Sequence, residues 1–307
     1  MSDVIATAGA AAPTVTPTSV GADGRPRRST GKRGGSMGFG GWLSAVWLIV
    51  IGVSAILAPW LPIDDPKITD FAVPNNSPIM KAGHLLGTDQ NGFDIFSRII
   101  WGGRVSLIVA LGVLAIGMVV GGSIGLLAGF LRGRAEVILM AIVDIFLAFP
   151  ALILLIAIVA FLGADLMNVV LGISLVSIPA FARIARATTL TFSQREFVLA
   201  ATAAGATKAR ILVREILPNV ILPLLAFGLL VVGIAIVAEG SLAFLGLTSQ
   251  ETISWGGMIN GGKGPLQQEN VAHTAMIPAF VMFITVLAVN FLGDRFRVAF
   301  DVKDAAL

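Results

Sequence analysis

Residues 196–219 read EFVLAATAAGATKARILVREILPN, and gather Glu196, Lys208, Arg210, Arg214 and Glu215 in a chain that is otherwise 56% hydrophobic and only 13% charged. Long uncharged runs lie on either side, so the stretch reads as a charged, alanine-rich hairpin joining two membrane spans. Ser193 with Glu196 three residues on has the form of a capping box, which predicts a short helix beginning at Gln194. Ala200, Ala201 and Ala204 fall on or near one face of that helix, a smooth surface that another protein can approach closely. Gly205 stands where the helix ends on a positive φ, a conformation strained for any residue with a Cβ. A second short helix is expected through Lys208, Arg210 and Arg214. Leu217 and Pro218 then open the next span, where a missing proline N–H costs little. An ordinary solvated loop of this length carries more Gly, Pro, Asn and Asp than this one does.

Working outward, crossing about 30 Å of hydrocarbon takes roughly 20 apolar residues. Six runs answer to that length: 34–63, 105–131, 145–164 with an apolar approach from 137, 166–182, 216–238 continuing to about 247, and 270–293. The expected fold class is therefore an all-α integral membrane protein of six transmembrane helices with one hairpin between the fourth and fifth. Its organisation is a disordered tail over 1–40, a six-span domain over 41–297 and a C-terminal tail over 298–307. Lys and Arg residues test the topology, because cytoplasmic flanks collect them. Alternating the sides leaves only Lys67, Lys81, Arg98, Arg104 and Lys263 outside, out of 21 basic residues. Both termini and the hairpin are thereby expected on the inside, and the net charge of +3 is a matter of topology rather than of nucleic-acid binding.

Two outside loops have substance. Residues 62–103 hold Pro62, Pro66, Pro74 and Pro78 and end on Phe93, Ile95, Phe96, Ile99 and Ile100 set against Asp94, Ser97 and Arg98, which predicts an interfacial helix. Residues 248–269 are Gly-rich, contain Trp255, and are expected to fold back toward the bilayer surface. On the second span Gly112, Gly117, Gly121, Gly122, Gly125 and Gly129 predict close helix packing ahead of a moving hinge.

The chemistry the chain lacks is equally informative. It has no Cys and two distant His residues, so a thiol nucleophile, a disulfide framework and a Cys-based metal site are excluded, and no metal ligand set is expected. Gly31-Lys32 and Gly262-Lys263 lack the upstream Gly and the following Ser or Thr of a phosphate loop. Ser106, Ser123 and Ser174 have no His or Lys at an activating spacing, so no catalytic residue is assigned. Asp144 and Glu239 are the carboxylates placed within apolar spans, and such groups face protein or water. They are read either as paired groups at a helix interface or as part of a translocation pathway or gate. A proton-coupled secondary transporter or a passive channel built on these two carboxylates is the alternative class.

The hairpin resembles the cytoplasmic coupling loop of the membrane subunits of bacterial ATP-binding-cassette importers, whose frame runs Glu-Ala-Ala, three residues, Gly, then about nine residues to Ile-x-Leu-Pro. Ala200, Ala201, Gly205, Glu215, Leu217 and Pro218 fall on or beside it, whereas Leu199 occupies the place where Glu is common, with Glu196 one turn earlier. HLLGTDQNGFDIFSR at 84–98 with Gly103, Arg104 and Ser106, then Asp144 with Phe149 and Pro150, then EGSLAFLGL at 239–247, look like the C-type permease of dipeptide, oligopeptide and nickel importers. The similarity covers about residues 40–297. It implies a multi-pass permease of the cytoplasmic membrane for di- or oligopeptides, without enzymatic activity or cofactor of its own. It further implies a second homologous permease as heterodimer partner, one or two ATPases that bind ATP and Mg, surrounding lipid, and an extracytoplasmic substrate-binding protein. Glu196, Ala200, Ala201, Ala204, Gly205, Lys208, Arg210, Leu217 and Pro218 are the coupling residues this resemblance nominates.

Overall fold

Every long apolar run forms a helix, because a chain in hydrocarbon satisfies its backbone polar groups only within itself. A computed structural model describes residues 38–70, 84–249, 251–264 and 272–304. The expected disordered tail lies outside these residues as far as position 37, as do Pro74, Pro78 and 265–269. In chain order the helices are α1 (Gly38–Leu57), α2 (Ile95–Leu131), α3 (Gly133–Leu147), α4 (Ala151–Leu162) and α5 (Leu166–Phe192). The short α6 (Glu196–Ala203) follows, then α7 (Lys208–Phe244), α8 (Trp255–Gly261) and α9 (His273–Asp304). Five helices are long and apolar enough to cross a membrane, and α3 with α4 makes a sixth span bent by 83°.

Several boundaries differ from the sequence reading, for physical reasons. The amphipathic segment at 93–100 is not a separate interfacial helix. Asp94 caps it by accepting from the Ser97 amide at 2.7 Å, and the helix then runs unbroken into the second span. The third span breaks where Pro150 precedes α4, whereas Pro179, Pro223 and Pro278 all sit inside continuous helices. α5 outruns its apolar core by ten residues, since Ala185, Thr189 and Phe192 keep one face buried beyond Ala182. The last helix continues to Asp304, past the expected start of the C-terminal tail.

The glycines of α2 do what their spacing suggested. Gly117, Gly121, Gly125 and Gly129 recur every four residues and form one ridge against α5. A Cβ on Gly121 would stand 2.6 Å from the Ile178 carbonyl oxygen, and one on Gly129 2.8 Å from that of Arg186. Backbone therefore meets backbone along this contact. A wide π turn at Gly117–Gly121 opens the ridge beside the buried Phe181 ring, which meets Phe227 of α7 edge-on at 5.2 Å.

At the end of the bundle away from the hairpin the described parts of the two loops meet, Gln90 donating to the Gly261 carbonyl at 3.1 Å. Asp89 accepts from the Asn91 amide at 2.8 Å and the Phe93 amide at 3.1 Å, and Arg98 donates to its second oxygen at 2.7 Å. The Arg98 guanidinium also lies 4.4 Å over the Phe93 ring. Trp255, fully buried on α8, donates its indole N–H to the Ile99 carbonyl at 2.9 Å and packs beneath Gly102 and Gly103. The 248–264 stretch thus folds back onto the bundle and inserts Trp255 into the core.

Candidate functional site

The hairpin is built around a Schellman turn. The Gly205 amide donates to the Thr202 carbonyl and the Ala206 amide to the Ala201 carbonyl, both at 3.0 Å, while Gly205 takes φ +78°. The start of α6 departs from the expected capping box. Because α5 extends so far, Ser193 terminates it, donating to the Leu190 carbonyl at 3.0 Å and accepting from Arg132 at 2.9 Å. Arg195 is the residue before α6 and makes no side-chain cap. Val198 is buried and anchors α6, while Glu196, Leu199, Ala200 and Ala204 are exposed; Ala201 is turned partly inward against the core. At the frame's Glu position this chain therefore presents an apolar side chain, Leu199, 61% exposed.

The expected second short helix is instead the first turns of a span. Thr207 caps it at the Arg210 amide, and α7 runs 37 residues from Lys208 to Phe244. Exposed Lys208 and Arg210 stand on its first turn. Pro218 stands on the first turn of the α-helical part of α7, Leu217–Phe244, where its missing N–H costs little, and a π turn at Ile211–Ile216 joins this part to Lys208. Leu217 is half-buried beside it.

The two span carboxylates have different surroundings. Glu239 is 2% exposed on α7 and accepts from the Ser106 hydroxyl of α2 at 3.0 Å, with Ser254, the residue before α8, as a second donor. It ties three segments together. Replacing it with Leu should leave the fully buried Ser106 hydroxyl without its acceptor, at a cost of about 1–3 kcal/mol. Thermal unfolding in detergent should show a clear loss of stability for Glu239→Leu and a smaller one for Glu239→Gln.

Asp144 on α3 is instead 54% exposed, and Arg183 of α5, 56% exposed, donates to it at 2.7 Å. A second pair lies nearer the hairpin end, where the Arg186 Nε donates to Glu136 at 2.7 Å. Both pairs line an open groove of about 1140 Å³ along α3 and α5. A charged side chain presented to lipid at the bilayer centre costs about 2.5–3.5 kcal/mol on insertion scales, so this face meets water or protein.

Sequence reasoning missed one cluster at the far end. Asp64, His84 and Asp94 bring ligand-type atoms within 4.8 Å of one another. The segments carrying them are up to thirty residues apart, with no spacing pattern to reveal the meeting. Both Asp94 oxygens are engaged, one by the helix cap and the other by His84 Nδ1 at 3.0 Å.

An all-helical bundle of apolar spans, with a folded hairpin at one end and a charged groove along two of its helices, has the make-up of a membrane transport subunit. A family model described as binding-protein-dependent transport system inner membrane component matches residues 121–303. The glutathione transport system permease protein GsiD of Pectobacterium atrosepticum is 38% identical over 257 residues, 83% of this chain and 84% of that protein. GsiD of Escherichia coli is 39% identical over 262 residues, 85% of each. The inward-facing structure of the MetNI methionine ABC transporter superposes with a TM-score of 0.54 at 21% identity, covering 66% of this chain and 96% of that chain, a likeness of fold. The chain belongs to the binding-protein-dependent transport system inner membrane component family, and is a multi-pass inner-membrane permease subunit of an ABC importer.

Proposed function

We propose that this chain forms half of the translocation pathway of a di- or oligopeptide importer, and that residues 193–218 couple it to a separate ATPase on the cytoplasmic side. The observation that carries this is the Schellman-closed α6, where Leu199, Ala200 and Ala204 are left exposed by the described residues of the bundle although the turn behind them is hydrogen-bonded. Glu196, Lys208 and Arg210 flank that surface with charge. The relatives named for glutathione transport support a peptide cargo, since glutathione is itself a tripeptide.

The second arm of the hairpin being α7 itself supplies the mechanics. A displacement applied at Lys208 by ATPase closure acts on one continuous helix roughly 55 Å long, at 1.5 Å per residue. Leu217 and Pro218, beside the π turn, form the weak point about which that lever flexes. A second homologous permease completes the pathway, an extracytoplasmic binding protein delivers cargo, and ATP and Mg are bound by one or two ATPase subunits. Both termini lie in the cytoplasm, in keeping with the distribution of Lys and Arg.

Purification of this chain from native membranes in mild detergent, with mass spectrometry of every co-purifying protein and an ATP hydrolysis assay, tests the proposal. A second six-span permease with one or two active ATPases is the expected result. Recovery of the chain alone as a stable homo-oligomer without ATPase activity would point to a channel or a proton-coupled transporter.

A further inference from the structure

Glu136 and Asp144 lie eight residues apart on α3, roughly 12 Å along its axis, and their partners Arg186 and Arg183 lie one turn apart on α5. Counted from Gly133, Asp144 stands about 16 Å along α3, one turn short of the bend that joins α3 to α4. The two pairs therefore form a polar track from the hairpin end of the bundle to the bend of the third span, along an open groove also lined by Val137, Met140 and Ala141. Each pair offers one cation and one anion. The deeper pair is also the more exposed of the two.

We propose that this track is the cytoplasmic exit of the cargo path, with the Asp144–Arg183 pair as its gate, opened when a zwitterionic peptide replaces each partner. The cargo's ammonium group engages Asp144 and its carboxylate engages Arg183, so that neither charge is left without a partner while the gate is parted. The shallower Glu136–Arg186 pair then offers the same two charges one step nearer the cytoplasm. A cargo bearing both charges thus passes from pair to pair, whereas an apolar molecule has nothing to set against the pair's own attraction. This inference rests on the importer reading and assigns the exit and the charge class of the cargo.

The absence of cysteine from the chain makes the test direct. Ala141→Cys, on the groove wall, and Ile49→Cys, exposed in the middle of α1, are each introduced into the complete complex in inside-out membrane vesicles, where the cytoplasmic face meets the medium. A membrane-impermeant maleimide is expected to label Ala141→Cys at least tenfold faster than Ile49→Cys. Millimolar Ala-Ala-Ala should slow that labelling at least threefold, while its N-acetylated, C-amidated form should not. Asp144→Asn and Arg183→Gln should each abolish the difference between the two peptides. Equal labelling at the two positions would overturn the exit, as expected if this face is instead sealed against the second permease. Equal protection by both peptides, or none by either, would overturn the charge-reading gate. ATP hydrolysis by the same vesicles separates these failures from failure of the importer reading, which would show as no ATPase associated with the chain.

Discussion

Gly125→Val should prevent stable assembly of the bundle although the chain still inserts into the membrane. A Cβ at this position falls onto the Ala182 carbonyl oxygen and within 2.7 Å of the Ala185 Cβ and 2.8 Å of the Arg186 amide nitrogen. Two of those obstacles are backbone atoms in the middle of a helix, and no rotamer relieves them. The valine isopropyl group would force α2 and α5 apart along a ridge of which Gly125 is the tightest point, so the loss should exceed the roughly 1–3 kcal/mol of an ordinary overpacked site. Hydropathy does not oppose insertion, since Val is more apolar than Gly. The expected observation is normal membrane content with a detergent-solubilised protein that aggregates or is degraded. Gly52→Val is the control, because a Cβ there meets nothing within 4 Å. Equal thermal stability of the two variants would show that the ridge does not govern packing.

Gly205→Val should abolish transport while leaving both insertion and the bundle intact. A Cβ at Gly205 meets nothing within 4 Å, so the whole effect comes from the backbone. At φ +78° an L-residue is strained by roughly 1–2 kcal/mol, and a β-branched residue by more. The Schellman bonds of Gly205 and Ala206 close α6 at that end, and relaxing φ breaks both. The exposed surface around Ala200 and Ala204 then loses the fixed shape on which docking depends. A graded series makes the cause visible: uptake and stimulated ATP hydrolysis should fall in the order Gly, Asn, Ala, Val, because Asn tolerates the left-handed region better than its size suggests. Normal import by the valine variant would refute this account of the turn, and a decline that follows side-chain volume would implicate the docking surface instead.

Much of the architecture was written in local properties of the chain. The bilayer demands about 20 apolar residues per crossing and internal hydrogen bonds throughout, so apolar runs announce helices without reference to their neighbours. The glycine ridge and the positive φ of Gly205 were legible for a similar reason: a missing Cβ marks close approach or left-handed backbone wherever the fold requires it. Tertiary structure decided how far each helix continues: α5 keeps Thr189 and Phe192 buried and runs on to Ser193, and a π turn carries Lys208 into the span that follows. It also decided which proline breaks a helix. Pro150 accompanies an 83° bend, while Pro179, Pro223 and Pro278 pass inside helices. The two carboxylates differ for the same reason. Nothing local separates Asp144 from Glu239, but packing encloses Glu239 beside Ser106 and leaves Asp144 in an open groove against Arg183. Hydropathy and backbone geometry belong to a residue and its near neighbours and so can be read along the chain; burial and pairing belong to the helix that arrives opposite, and only the folded bundle assigns them.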